Sequence, residues 1–178
     1  EPVAGSTGVL VPPVGYLKRL RDICTKHGIL LIYDEVITGF GRLGANFGAE
    51  RLGVTPDIMT MAKGLTNAAV PMGAVAVRND IYDAIVKGTG AGIEFFHGYT
   101  YSGHPVAAAV ALENLRVIQE EHIVEHVRDV AHPYLKERWD ALADHPLVGE
   151  ARGVGLIGAL ELVRDKRSRE NFEAKAGV

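Results

Sequence analysis

The chain has 178 residues, 47% of them hydrophobic and 23% charged, with a formal charge of -3. At roughly 100–200 residues per domain this is one domain to one and a half, and so apolar a chain with so little net charge is not intrinsically disordered. The near-neutral balance argues against a nucleic-acid or anionic-membrane partner, and no apolar run approaches the roughly 18 residues a membrane span needs.

The elements follow in chain order. Glu1-Pro2-Val3 has neither the basic nor the apolar region of a signal peptide. Val11-Pro12-Pro13 leads into a helix with Tyr16, Leu20, Ile23, Cys24 and His27 on one face, ended by Gly28. Ile29 to Tyr33 is a continuous apolar run, the pattern of a strand buried on both faces, with Asp34-Glu35 at its carboxyl end. Gly39, Gly41, Gly44 and Gly48 mark a bending loop. Asp57 to Ala62 and Gly73 to Val77 read as two further strands. Asn79 to Lys87 reads as a short helix with Asn79 as N-cap and Ile81, Ile85 and Val86 inward. A Gly- and aromatic-rich loop runs from Gly88 to Ser102, and a long helix from His104 to Glu121 carries Val106, Val110, Leu115 and Ile118. Buried strands alternating with helices give an α/β fold with a parallel or mixed sheet.

From Ile123 the character changes. A charged helical stretch reaches Asp144 with a break at Pro133, and Val148 to Val163 reads as glycine-containing strands. The boundary falls near residue 122. The chain opens on Glu, and Asn171 to Val178 carries no terminator of a helix or strand. The sequence therefore reads as a piece of a longer protein. Cys24 is the single cysteine, can form no internal disulfide and suits a reducing compartment, the cytoplasm.

In open α/β sheets, ligands bind beyond the carboxyl ends of the strands. Asp34 follows Leu30-Leu31-Ile32-Tyr33, and Lys63 follows Ile58-Met59-Thr60-Met61-Ala62. A lysine so placed is expected to be partly desolvated, which lowers its pKa and frees a nucleophilic amine. Two readings fit this pair. One is an ion pair at the sheet edge. The other is pyridoxal 5'-phosphate (PLP) chemistry, in which a lysine forms a Schiff base and a carboxylate keeps the pyridine nitrogen protonated.

Four motifs occur in order: Glu1-Pro2-Val3, Asp34-Glu35-Val36-Ile37-Thr38-Gly39-Phe40-Gly41-Arg42, Met61-Ala62-Lys63-Gly64, and His97-Gly98-Tyr99-Thr100-Tyr101-Ser102-Gly103-His104-Pro105. Together they resemble the class III (omega) aminotransferases, PLP enzymes of fold type I, along essentially the whole chain. The resemblance implies an aspartate aminotransferase-like α/β fold. Residues 1–122 would be part of the PLP-binding large domain, and 123–178 the start of the small C-terminal α+β domain. It implies that Lys63 is the Schiff-base lysine and the base for the proton shift. Asp34 would pair with the pyridine nitrogen, and Val36 would pack on the ring. Thr100, helped by the Tyr99 backbone, would bind the phosphate of the neighbouring subunit, which makes the enzyme a homodimer. Glu1 would join a polar network behind the cofactor, and Arg42 would order the glycine loop or simply stand in solvent. No metal is implied.

Departures narrow the branch. Ornithine and 4-aminobutyrate enzymes of the family tend to carry Gln at the position of Ile37 and Glu at that of Ser6. Here the resemblance runs instead to the amine:pyruvate and β-alanine:pyruvate branch, with an omega-amino acid or amine as donor and pyruvate or another 2-oxo acid as acceptor. A PLP-dependent racemase or aminomutase of the same fold would share these residues, and a non-catalytic dimerisation module would keep the surface without the chemistry. The family's N-terminal glycine loop and its substrate-carboxylate arginine have no counterpart in these residues, so the chain alone is expected to be catalytically incomplete and poorly soluble.

Other signals carry less. Gly153-Val154-Gly155-Leu156-Ile157-Gly158 matches a dinucleotide pattern, but Leu156 to Leu162 alternates like a strand and opens no helix. His122-Ile123-Val124-Glu125-His126 matches an inverted zinc motif in a charged, solvated stretch. Cys24 and Trp139 read as core, and Arg164 to Arg169 as a solvated basic cluster.

Overall fold

In the computed structural model, which describes residues 1–88 and 99–173, three strands form one sheet. They are β1 (Ile32–Asp34), β2 (Ile58–Met61) and β3 (Ala74–Val77), in the order β1-β2-β3. β1 and β2 run parallel, with Ile32 opposite Ile58 and Asp34 opposite Thr60. β3 is antiparallel to β2, with Val75 opposite Thr60 and Val77 opposite Ile58. Most of the expected loop after Gly88, together with His97 and Gly98 of the last motif, lies outside the described residues.

Side chains alternate across a strand, and the two faces of this sheet differ sharply. Tyr33 is 3% exposed on one face, while Ile32 is 56% exposed and Val75 59% exposed on the other. The expectation of a β1 buried on both faces is therefore corrected: among the described residues only one face is covered. Its cover is α1 (Tyr16–Lys26), whose Leu17 and Cys24 pack with Leu31, Tyr33 and Val54. Burying each such large side chain stabilises the unit by about 1.5–3 kcal/mol. The inward face of α1 is Leu17, Leu20 and Cys24, so the expected stripe is rotated: Tyr16 and Ile23 point to solvent. Gly28, at φ 63°, follows the helix in the left-handed conformation a C-terminal glycine supplies.

A short α2 (Gly48–Leu52) leaves the glycine loop and carries Leu52 into both core clusters. Beneath α1, at the edge of the sheet opposite the carboxyl ends of β1 and β2, sits Asp57, 4% exposed. Its Oδ2 accepts from the Leu31 amide at 2.7 Å and from Arg21 at 2.7 Å, and its Oδ1 accepts from Arg78. Burial alone would raise this carboxyl. The Leu31 amide, the Arg21 guanidinium and the charge on Arg78 outweigh burial and hold it below the usual carboxylate range. Arg78 also caps α3 (Asn79–Gly88), because its carbonyl accepts from the Ile81 and Tyr82 amides at 3.1 and 3.2 Å. Asn79, expected as the cap, is already the first helical residue.

α4 (Pro105–Glu120) begins with proline at its first position and His104 as cap. Its buried face is made of small residues, Ala107 and Ala111. α5 (Ile123–His126), a π-helical turn over Val127–Ala131, α6 (His132–Ala141) and a 3-10 turn over Leu142–Asp144 follow. The expected break at Pro133 is thus a π turn just upstream of it, where the proline's missing N–H leaves an i-4 carbonyl without its partner. β4 (Val148–Val154) and β5 (Ile157–Leu162) form a hairpin. Its tip docks on the N-terminal half, with Val154, Ile157 and Ala159 packed on Val3, Val9 and Leu43. The Leu156 amide donates to the Arg42 carbonyl at 2.9 Å, and Arg152 Nε to the Gly8 carbonyl at 2.6 Å. The Gly-x-Gly-x-x-Gly stretch is therefore a hairpin turn. Only glycine fits at 155, where φ is +61° and a Cβ would stand 2.4 Å from the Arg42 carbonyl oxygen.

Two outcomes follow for the full-length protein. Gly155→Ala is expected to cost at least about 2 kcal/mol, from left-handed backbone plus overlap, read as a lowered urea midpoint. Gly88→Ala, with nothing among the described residues near its Cβ, is the neutral control. Asp57 has a depressed folded pKa, so its stabilisation is full above the unfolded value of about 3.9 and is lost as pH falls through the lower folded value. Asp57→Asn is expected to lower stability at pH 7 by about 1–3 kcal/mol through its imperfectly replaced buried partners and to flatten the acid limb of a stability–pH curve.

Candidate active site

β1 ends at Asp34 and β2 ends two residues before Lys63. Because the two strands are parallel neighbours in register, their carboxyl ends share one edge, and the carboxylate and the amine stand at that edge together. Asp34 lies on the open face with Ile32. One of its oxygens, Oδ1, accepts from the Val36 amide at 2.9 Å, which fixes the carboxylate over the strand end. Oδ2 has no hydrogen-bond partner among the described residues. Val36 is half-buried beside it.

Lys63 is exposed. The expected desolvation is not provided by the described residues, for the same reason that Ile32 is bare: nothing among them covers this face. What the chain does provide is a fixed backbone. Lys63 has φ +43°, and Asn67 and Ala68 further along also have positive φ, at 48° and 61°. Left-handed backbone at non-glycine residues costs on the order of 1–3 kcal/mol and persists only when its surroundings hold it. After Lys63 a 3-10 turn (Lys63–Leu65) closes, with the Leu65 amide donating to the Ala62 carbonyl at 3.0 Å. Gly64 lies so close to Phe40 that a Cβ there would be 2.8 Å from the Phe40 Cβ. Phe40 in turn packs edge-on to Phe47 at 5.3 Å between ring centroids. The glycine loop after Asp34 is thereby pressed against the lysine turn.

That loop is anchored by a residue the motif contains but the sequence reading gives no role. Glu35 is fully buried. Its carboxylate accepts from the Gly48 amide at 2.8 Å, the Ala49 amide at 2.6 Å and the Thr38 hydroxyl. Gly48 is forced by this arrangement, since a Cβ would meet both Glu35 Oε2 and Pro2 at 3.0 Å. The available signal is a second acidic residue directly after the strand, with Thr at its third following position. Asn114 of α4 is a second such residue. Its side-chain amide donates to the Gly64 carbonyl at 2.8 Å and the Leu65 carbonyl at 3.1 Å. A polar residue at helical spacing from inward-facing Ala107 and Ala111 is its sequence signal.

The other expected residues are placed as follows. Glu1 is exposed and accepts from the Gly5 amide at 3.0 Å. Gly5 sits on Ile37, 3.0 Å from its Cδ1 when a Cβ is added, so the chain next to Ser6 meets the second departing position. Arg42 is exposed, and its contact with the hairpin is made by its backbone. Tyr99 and Thr100 are exposed and line a cavity of about 630 Å³ with Pro71, Met72, Gly73 and His104. No hydrogen bond joins Thr100 to Asp34 or Lys63. His122 precedes α5 and so does not share a helix with His126.

A family model described as aminotransferase class-III matches residues 1–177. The putrescine–pyruvate aminotransferase of Pseudomonas aeruginosa is 55% identical over 175 residues, covering 98% of this chain and 38% of that protein. An omega-amino acid–pyruvate aminotransferase of Pseudomonas putida is 50% identical over 164 residues, covering 91% of this chain and 36% of that protein. The crystal structure of a thermostable (S)-enantioselective omega-transaminase from Thermomicrobium roseum matches with a TM-score of 0.90 at 48% identity, covering 97% of this chain and 38% of that one. The chain thus spans well under half the length of the relatives it matches. The fold shared with that transaminase is the PLP-dependent fold type I, and the chain belongs to the class III aminotransferases.

Proposed function

We propose that the full-length protein carrying this sequence is a PLP-dependent aminotransferase that moves an amino group from an omega-amino acid or amine to pyruvate or another 2-oxo acid. The observation that carries this reading is the shared strand edge: Asp34 ends β1, and Lys63 follows the end of the adjacent parallel β2 by two residues. The relatives named for putrescine, omega-amino acids and pyruvate support the substrate classes.

The residues fit the cofactor. A pyridinium N–H needs an acceptor that stays ionised, and Asp34 offers Oδ2 while Oδ1 is held by Val36. A cofactor aldehyde needs an accessible primary amine, and Lys63 is exposed on a fixed turn. When bound, PLP supplies an electron sink for the charge left when a proton leaves the substrate carbon. Asp34 would hold a proton at the ring nitrogen by charge, which strengthens that sink. Lys63 would anchor the cofactor and, once released by an incoming amine, carry the proton between the two carbon positions at its Nζ. Val36 would press on the ring face.

Tyr99 and Thr100 would serve the phosphate in the site of a second subunit, making a homodimer. Thr100 stands exposed on a cavity it shares with Pro71 to Gly73, where its hydroxyl is accessible to a phosphate. Residues 1–122 would form part of the large domain and 123–178 the start of the small one. The packing of Val154, Ile157 and Ala159 on Val3, Val9 and Leu43 would join the two. Ile37 and Ser6, meeting through Gly5, would leave the donor side without the polar pair of the ornithine enzymes. The lone, buried thiol of Cys24 suits the cytoplasm, and no described helix is long and apolar enough to cross a membrane.

The test is a PLP titration of the full-length protein followed by absorbance, with borohydride fixation and peptide mapping. A saturable band fixed at Lys63 and absent in Lys63→Ala is expected. Asp34→Asn is expected to keep the fold and lower transfer from an amine to pyruvate by roughly a hundredfold or more, because the ring nitrogen loses its charged partner. Fixation at another lysine, or full transfer by Lys63→Ala, would sink the reading.

A further inference from the structure

We propose that Asn114 is a positioning residue for Lys63: a side-chain clamp from α4 that holds the strained turn from which the lysine amine projects. The inference rests on the reading of Lys63 as the cofactor-bearing lysine. The turn has good reason to need a clamp. Lys63 is left-handed, at φ +43°, and is followed by a Gly64 wedged against Phe40. A 3-10 turn of three residues leaves its last carbonyls without partners along the chain. Asn114 supplies both, with Nδ2 donating to the Gly64 carbonyl at 2.8 Å and the Leu65 carbonyl at 3.1 Å.

The chemistry of the clamp is specific. Both neighbours are carbonyl oxygens, so only the amide nitrogen can face them, and its two protons match two acceptors. Aspartate has the same shape and no donor. The bonds are half-buried, which limits competition from water. They are also the connection farthest in sequence that this turn makes, reaching across 50 positions to Gly64. Buried Ala107 and Ala111, about two turns and one turn before Asn114, let the α4 backbone come close enough for so short a side chain to reach. On the far side, the Thr66 hydroxyl donates to the Val70 carbonyl at 2.7 Å and closes the turn. Among the described residues, Asn114 donates only to backbone oxygens of the residues after Lys63, so its effect would pass through the position of the amine.

The experiment separates placing the amine from building the pocket. In the full-length apo protein, two quantities are measured. One is the rate of covalent capture of PLP, followed by absorbance. The other is the dissociation constant of pyridoxine 5'-phosphate, which has the ring and phosphate but no aldehyde for an amine to attack. For Asn114→Ala, capture is expected to slow by roughly tenfold or more while pyridoxine 5'-phosphate binding stays within about threefold. Asn114→Asp is expected to be slower still, and it keeps the side-chain volume. If capture is unchanged in a folded Asn114→Ala protein, or if both quantities fall together, the clamp is overturned and Asn114 is a packing residue. Lys63→Ala run alongside tells the two failures apart. If it captures nothing, such a result overturns the clamp alone. If it captures PLP as wild type does, the site reading fails and the clamp with it.

Discussion

Parallel pairing of β1 with β2 is the constraint on which the rest depends. Two strands that run the same way must end at the same edge, so whatever follows each is delivered to one place. Here a carboxylate closes one strand and a lysine follows the other by two positions. A hairpin would have sent the same residues to opposite edges. The connection between them, Glu35 to Asp57, is long enough for a parallel crossover. It does not wander: the buried Glu35 carboxylate ties its start to the Gly48 and Ala49 amides, and Asp57 ties its end to Leu31, Arg21 and Arg78.

The two carboxylates divide the labour by position along the sheet. Asp57 lies at the end where β1 and β2 begin and is buried with donors on both of its oxygens. Asp34 lies at the end where they finish and keeps one oxygen unpaired among the described residues. A buried acid held at both oxygens stabilises the frame, and one with a free oxygen on an open face can accept a proton donor from outside. The sequence places both next to apolar runs, so proximity to a strand does not by itself separate them. What separates them is strand direction, which sets whether the acid precedes or follows its run.

Strand existence, the α/β class and the placing of Asp34 and Lys63 after apolar runs were legible in the sequence, because runs of apolar residues bounded by polar ones mark strands, while the choice between a parallel and a mixed sheet was left open. Burial was less legible. Ile29, Leu30 and Ile32 read as doubly buried, yet each is about half exposed among the described residues. An apolar run records what the strand is built to meet, and the cover of this face is not among those residues. The face of α1 was read correctly at Leu20 and Cys24 but took Tyr16 and Ile23 in place of Leu17, because all three carry large apolar surface. Only the direction of approach to the sheet chooses between the two stripes. Glu35 and Asn114 gave weak signals, since each acts on backbone groups that no periodicity reveals.

The state of Lys63 follows from separating two properties that a reactive amine needs. Its solvation is set by what covers it, and among the described residues the Lys63 side chain stands exposed whatever its backbone does. Its location is set by the backbone, and that is fully specified here by the left-handed turn, the Phe40 contact at Gly64 and the carbonyls held from α4. Solvation can be altered late, by whatever closes over the open face. Strain cannot, because a positive φ at a side-chain-bearing residue survives only if the packing that enforces it is already in place. The division makes physical sense of the arrangement: the expensive geometric term is carried by Phe40 in the loop after β1, by the turn itself and by Asn114 on α4, and the solvation of the amine is left to the groups that close over the open face.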